Sequence, residues 1–502
     1  MPSHQARPTV DRPTVGRGPG HHGGRIRASI EGRTPVRTSD AAARTGPVPD
    51  GGGPVQESDQ REQHPERRER SGAASGGPEQ DPPTTARDAA AQGAAGTAAH
   101  PTPEQVVAGL RATSEGPDLV ELLSPEGVFT PHPDYPLEVT AELLQGLYRD
   151  MVLVRRFDRE GNALQRQGQL SLWAPLLGQE AAQIGAGRAL RPTDMAFPSY
   201  REHGVAWCRG IDPAQLLGIF RGTDQCGWDP AATRFNGYAI VIGNQVLNAV
   251  GYAMGQRLDG AVGGAGNSAS AAGAGADGPD GADGPEGVDG SEATIAFFGD
   301  GATSQGDVHE AMVFGAVFDA PVVFYCQNNQ WAISEPVEKQ SRVPLYRRAH
   351  GYGFPGVRVD GNDVLACLAV TRWALQECRS GNGPVMIEAF TYRMDAHTTS
   401  DDPTRYRLAD EEEAWKLLDP IERVRVHLTR EGLADAAFFE RVAQDADELA
   451  AHFRAACYAL DSPGPDRLFS HVYSGEHEQT RRQHAEQIGY LASFQEPAES
   501  GR

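Results

Sequence analysis

Residues 293–334 read ATIAFFGDGATSQGDVHEAMVFGAVFDAPVVFYCQNNQWAIS, and they divide into strand, turn, helix and strand. The apolar run 293–298 has the length and the β-branched and aromatic character of a buried parallel strand. It stops at Gly299-Asp300-Gly301, where two glycines allow a sharp turn and a close approach to a ligand. Val308, Met312, Phe314, Val317 and Phe318 follow at helical spacing, and a second apolar strand, 321–326, ends in Asn328-Asn329. This is a βαβ unit, whose ligand crevice lies at the carboxyl ends of its strands. Asp300 and Asn329 stand at those ends. A carboxylate and an amide oxygen brought together there are hard ligands of the kind Mg²⁺ takes while also holding phosphate.

Outward from this unit, the chain continues an α/β pattern. Apolar residues at helical spacing fill 137–158, with Thr140 as N-cap and Glu142 in the first turn. A second helix runs from about Gly178-Gln179-Glu180 through Ala189. Residues 194–204 form a polar junction with Tyr200, Arg201 and His203, and the planar fork of Arg201 suits an anion. Residues 238–242 read as an apolar strand-like piece, followed by a Gly243-Asn244-Gln245 turn and a small-residue helix. Past the central unit come a strand at 356–360, a helix at 363–379 ended by Gly381, and a strand at 383–392. A polar segment, 393–407, carries His397, and 410–490 has helical spacing throughout.

Two stretches lack the composition of a core. Residues 1–103 are rich in Gly, Pro, Ala, Arg and Ser, with 13 arginines against 12 acids in the first hundred positions. Such a segment cannot bury enough apolar surface to offset its chain entropy, and is expected to be a disordered tail. Its Arg-rich start is shared with organelle transit peptides, but it is broken by Gly and Pro, has no amphipathic period and contains acids. Residues 260–292 are almost wholly Gly, Ala, Asp, Pro and Ser. Acids recur at every third position from Asp277 to Glu292, as expected of a flexible, self-repelling insert looping away from the crevice. The expected organisation is thus tail (1–103), α/β domain (104–410) and helical C-terminal region (411–502).

Composition narrows the function. The 502 residues carry a formal net charge of −22, which argues against nucleic acid as a general partner. No apolar run approaches the roughly 18 residues of a membrane span. The six cysteines are scattered with no CxxC pair, as expected of reduced thiols in a cytoplasmic protein.

The strand–GDG–26 residues–NN pattern resembles the thiamine diphosphate fingerprint. With SYREHG (199–204), VIGNQ (241–245), FFGDGATSQGD (297–307), CQNNQWAIS (326–334) and TYRMDAHTTSDDPTRYR (391–407), residues 138–410 resemble one family closely. It is the alpha subunit of the thiamine-dependent decarboxylating component of 2-oxo acid dehydrogenase complexes, of pyruvate or branched-chain type. The resemblance implies a transketolase-like diphosphate-binding fold in an α2β2 heterotetramer. The alpha chain then holds the diphosphate and Mg²⁺, the beta chain brings the carboxylate for the cofactor's pyrimidine nitrogen, and a lipoylated acyltransferase receives the acyl group from a small 2-oxo acid. Position by position, it implies Asp300, Asn329 and the Trp331 carbonyl as metal ligands. Tyr200, Arg201, Gly299, Gly301 and Ala302 would contact the cofactor with Asn329, Ile242 would wedge it into a bent shape, and His397 and His203 would be the catalytic histidines, His397 also contacting the diphosphate region.

Some positions depart from the pattern. Gln327 stands where branched-chain relatives often carry a phosphate-binding arginine, so one positive donor is missing. Gln305 replaces a frequent glutamate, and the stretch before Ile242 lacks the Ser-Pro of animal relatives, which puts a bound potassium ion in doubt. An acetoin-type dehydrogenase, or a non-catalytic scaffold of the same fold, stays open as an alternative; intact Asp300, Asn329, Arg201 and His397 speak against the scaffold.

Overall fold

The strand expected at 293–298 is second from one edge of a six-stranded, all-parallel sheet. The computed structural model describes residues 119–260, 291–461, 463–470 and 472–494; the expectations for residues 1–118 and 261–290 lie outside these. The strands are β1 (Leu119–Val120), β2 (Met195–Phe197), β3 (Thr294–Gly299), β4 (Val322–Asn328), β7 (Gly356–Asp360) and β8 (Val385–Phe390), in the spatial order β1-β7-β8-β4-β3-β2. A separate two-stranded hairpin, β5 (Trp331–Ala332) and β6 (Glu335–Pro336), follows β4. Registers Gly299↔Gln327 and Asn328↔Phe390 bring the carboxyl ends of β3, β4 and β8 side by side.

Alternation along the strands divides the core in two, because successive side chains leave opposite faces of the sheet. Ile295, Phe297, Val323, Tyr325 and Ile387 pack on one face against α1 (Ala141–Arg166), α2 (Glu180–Ala189) and, further along the chain, the helix Val364–Arg379. Ala296, Phe298, Phe324, Cys326 and Met386 pack on the other. That face is covered by two helices that begin beside the strand ends, Asn244–Leu258 and Gly306–Val317. Continuous apolar strands are what a sheet covered on both sides requires. Each fully buried phenylalanine contributes about 1.5–3 kcal/mol. The approach of α2 to the helix Val364–Arg379 depends on Gly185, where a Cβ would stand 2.6 Å from that of Cys367.

Numbering the principal helices in chain order after α2 gives α3 (His203–Cys208), α4 (Asn244–Leu258), α5 (Gly306–Val317), α6 (Val364–Arg379), α7 (Pro420–Arg430) and α8 (Ala436–Ala459). Thr140 caps α1 as expected, accepting from the Leu143 N–H, but the helix runs on to Arg166. Helices α7 and α8 do not stand apart: Val424, Val442 and Phe453 belong to the same core as α1 and the sheet.

Three readings change. Residues 238–242 form no strand. The chain bridges the sheet at Phe235, then leaves it, and Ile240 and Val241 are 57% and 70% exposed. The edge strand β2 lies inside the segment read as a polar junction; three residues are too few to show a period. In α5 the core face is Val308, Ala311, Met312 and Gly315, whereas Phe314, Val317 and Phe318 are exposed.

Candidate active site

At the carboxyl ends of β3 and β4 a cavity of about 220 Å³ opens, lined by Arg201, Ile242, Asp300, Asn329, Trp331 and His397 among others. These residues come from five separate segments of the chain. Of the residues expected at the site, Tyr200, Gly299, Gly301 and Ala302 also line the cavity. His203 does not. Its ring is fully buried against Trp173, with Nε2 at 2.9 Å from the Ala174 carbonyl and Nδ1 at 2.8 Å from the Tyr238 hydroxyl. Burial pushes its pKa down to about 3, so it stays neutral, with both ring nitrogens occupied. Among the described residues it braces the loop from behind and stands outside the cavity lining.

One wall is acidic and neutral-polar. Asp300 opens a 3₁₀ turn, Asp300–Ser304, and its carboxylate is 1% exposed. Gln340 donates to its Oδ2 at 3.0 Å. Burial raises the Asp300 pKa to about 6 despite that bond. Among the described residues no ion pair relieves it, and a divalent cation would. Asn329 is held by Gln179, which accepts from its Nδ2 at 3.3 Å, and its Oδ1 takes the Trp331 N–H. Glycine is required at 301, since a Cβ would lie 2.8 Å from that of Ala332. One carboxylate, one amide and a backbone carbonyl make too few protein ligands for a cage, but they suit Mg²⁺ that also binds phosphate oxygens.

A second cluster, around His397, is crowded with cations. The Arg201 guanidinium donates to the carbonyls of Pro175 and His397, the latter at 2.9 Å, and lies 3.3 Å from His397 Nδ1. Arg393 lies 3.4 Å from the same nitrogen and donates to the Trp331 and Ile333 carbonyls, both at 2.8 Å. Tyr200 OH is 3.5 Å from His397 Nε2. Burial first, then Arg201 and Arg393, lower the His397 pKa to about 3; burial and Arg201 lower that of Arg393 to about 10. An anion would relieve Arg393 and His397. The His397 loop is tied down as well, since Asp401 accepts its backbone N–H at 3.0 Å and also the Tyr406 hydroxyl. Arg393 holds a strained hairpin turn, with β-branched Ile333 at φ +55°.

Trp331 offers its carbonyl to Arg393, which leaves that oxygen one lone pair for a metal. Sequence reasoning did not reach Gln179, Gln245, Gln340 and Arg393. The signal for the first two was present, glutamines beside Gly178 and Gly243 at helix starts, but glutamine at a helix start has no chemistry of its own to mark it. Gln179 Nε2 and Gln245 Oε1 are buried without partners, as polar atoms facing a ligand would be.

The model for the dehydrogenase E1 component family matches residues 148–456. The chain is 44% identical to the 3-methyl-2-oxobutanoate dehydrogenase subunit alpha of Mycobacterium tuberculosis over 357 residues, 71% of this chain and 89% of the relative. It is 34% identical to the pyruvate dehydrogenase E1 component subunit alpha of Acholeplasma laidlawii over 356 residues, 70% and 94% of the two chains. It is 33% identical to a mitochondrial 2-oxoisovalerate dehydrogenase subunit alpha of Arabidopsis thaliana over 349 residues, 67% and 68%. The chain belongs to the dehydrogenase E1 component family. The expected oxidoreductase class, the alpha subunit of a 2-oxo acid dehydrogenase, is borne out, as is the expected parallel α/β fold. Among the described residues no helix is long and apolar enough to cross a membrane.

Proposed function

We propose that this chain binds thiamine diphosphate and Mg²⁺ and, with a beta subunit, decarboxylates a 2-oxo acid and delivers the acyl group to a lipoyl domain. The observation that carries the reading is the meeting of Asp300, Asn329, Arg201 and His397 in one cavity from four separate segments. Asp300, Asn329 and the Trp331 carbonyl would hold the metal. Tyr200, Arg201 and the backbone of Gly299, Gly301 and Ala302 would hold the diphosphate, and Ile242 gives the cavity an apolar edge. Bound there, the cofactor would supply the electron sink for loss of carbon dioxide. His397, kept neutral among cations, turns its Nδ1 lone pair to the Arg201 and Arg393 guanidiniums, so its Nε2 carries the proton and can donate it, 3.5 Å from the Tyr200 hydroxyl.

The split site is supported by the cavity's acids. Its carboxylates are Asp300, assigned to the metal, and Glu202, already accepting from Ser199, Arg201 and Gln327. A carboxylate for the pyrimidine nitrogen would therefore come from the partner. The test is reconstitution with a beta subunit, thiamine diphosphate and Mg²⁺, comparing pyruvate, 2-oxoisovalerate and 2-oxobutanoate. The lone chain should be inactive and the complex active; a decarboxylating lone chain would overturn the split site.

A further inference from the structure

Gln327 lines the cavity, and its amide faces two other buried polar side chains rather than open space. Its Nε2 donates to Glu202 Oε1 at 2.7 Å, and its Oε1 accepts from Gln183 Nε2 at 3.1 Å. All three residues are at most 2% exposed. Glu202 also accepts from Ser199 Oγ, at 2.8 Å to Oε2, and from the Arg201 N–H at 3.3 Å. Gln183 Nε2 donates a second bond, to the Arg201 carbonyl at 3.0 Å, and its Oε1 takes the Gly204 N–H at 2.9 Å. The backbone of Arg201 is thus gripped at both its N–H and its carbonyl, while its guanidinium is aimed by two carbonyl oxygens.

We infer that Glu202 and Gln327 form a positioning pair that presents Arg201 to the diphosphate, an inference resting on the diphosphate reading above. The chemistry explains the buried acid. Donors from Ser199, Arg201 and Gln327 converge on residue 202, and only a carboxylate is acceptor-only at both oxygens. Burying a charge without a cation is costly, so a neutral side chain would be expected here if filling space were the only demand. It also gives Gln327 a role that a cationic side chain could not fill. A guanidinium at 327 has no acceptor for Gln183 and would pair with Glu202, undoing the grip on Arg201.

The test exchanges the two groups. In E202Q, an amide must turn its N–H₂ toward one of the donors. In Q327E, two carboxylates face each other. In E202Q/Q327E, the amide now at position 202 donates to the carboxylate now at position 327, which still accepts from Gln183. The bond between the two positions is restored with donor and acceptor reversed. Each variant is assembled with its beta subunit, and thiamine diphosphate binding at saturating Mg²⁺ is measured by calorimetry beside the melting temperature of the cofactor-free protein. Each single change should weaken binding about tenfold or more, as expected for a lost bond to a charged group, and the double change should return it to within about threefold of wild type. Should a single variant fail to fold, Q327M, which removes both amide bonds without adding charge, is expected to weaken binding about tenfold while the double variant still binds. Single variants or Q327M binding like wild type, or a folded double variant that stays weak, would overturn the pairing alone. A wild-type complex that binds no thiamine diphosphate would overturn the diphosphate reading and this role with it.

Discussion

On one wall of the cavity the Asp300 carboxylate is buried with no ion pair among the described residues, and burial raises its pKa to about 6 against the weaker pull of Arg393. On the other, Arg201, Arg393 and His397 crowd together, and the pKa values of Arg393 and His397 fall to about 10 and about 3. Each wall is held in its unfavourable state by rigid neighbours: Gln340 for the acid, carbonyl oxygens for the guanidiniums. The difference in sign matches the two halves of the proposed ligand. A metal relieves the first wall and a polyanion the second, and a metal–diphosphate pair relieves both while its own halves are joined. Preorganised charge of this kind costs folding stability and is retained where it serves binding.

The largest break in this comparison comes from Asp300→Asn, which removes the only charge on the acidic wall. Mg²⁺-dependent binding of thiamine diphosphate should be lost, by a hundredfold or more on the scale of a metal ligand's removal. The same change should stabilise the cofactor-free protein. A carboxyl with a raised folded pKa favours folding in its protonated form, an advantage lost as pH rises through about 6. The asparagine variant should therefore gain on the order of 1–3 kcal/mol at pH 8 and about half as much at pH 5. Denaturant melts at the two pH values check the sign; a loss at pH 8 would contradict it.

Arg201→Lys tests the cationic wall. Lysine keeps the charge but cannot reach the Pro175 and His397 carbonyls as a fork while facing an anion. Diphosphate affinity should fall about tenfold, with Mg²⁺ dependence intact. Calorimetry distinguishes this from the Asp300 variant, in which the metal dependence itself disappears.

His397 reports the same wall without mutation. In the cofactor-free protein its ring should stay neutral down to about pH 4, because burial and two guanidiniums disfavour the protonated form. Binding of an anion beside those guanidiniums moves its pKa upward. An NMR titration of the labelled ring checks both statements, and an ordinary pKa near 6.5 in the cofactor-free protein would contradict them.

The smallest effect is expected far from either wall. Helix α4 starts at the cavity with Gln245 and ends at Leu258, and β3 runs back toward the cavity from Thr294. The described ends of the 261–290 segment therefore lie at the opposite edge of the sheet. Replacing 261–290 by a short linker should leave melting temperature and reconstituted activity unchanged within error; a large loss of either would assign that segment a role.

The acidic wall was legible in the sequence because its residues are close together in the chain. Gly299-Asp300-Gly301 and Asn328-Asn329 end adjacent parallel strands, and strand, helix and strand each show their own period. The cationic wall was legible through motif resemblance. Nothing in periodicity brings residues 201, 393 and 397 together; that follows from tertiary packing of α2 and α6 against the sheet. His203 stands next but one to Arg201 in the SYREHG run and yet turns toward Trp173, a direction that sequence adjacency does not reveal. In α5, Phe314, Val317 and Phe318 continued an apolar pattern that the core did not use, since Val308, Ala311 and Met312 already fill the space against α4. Glutamines 179, 245 and 340 were invisible as site residues because an uncharged amide signals a role only through its partners.

The claim that the two walls await one joined ligand is tested most directly by the coupling between metal and diphosphate. Thiamine diphosphate affinity of the assembled protein, measured by calorimetry with Mg²⁺ at saturation and with the metal removed by chelator, should differ by about a hundredfold or more, with the reciprocal effect on Mg²⁺. Equal affinities in the two conditions would contradict the account.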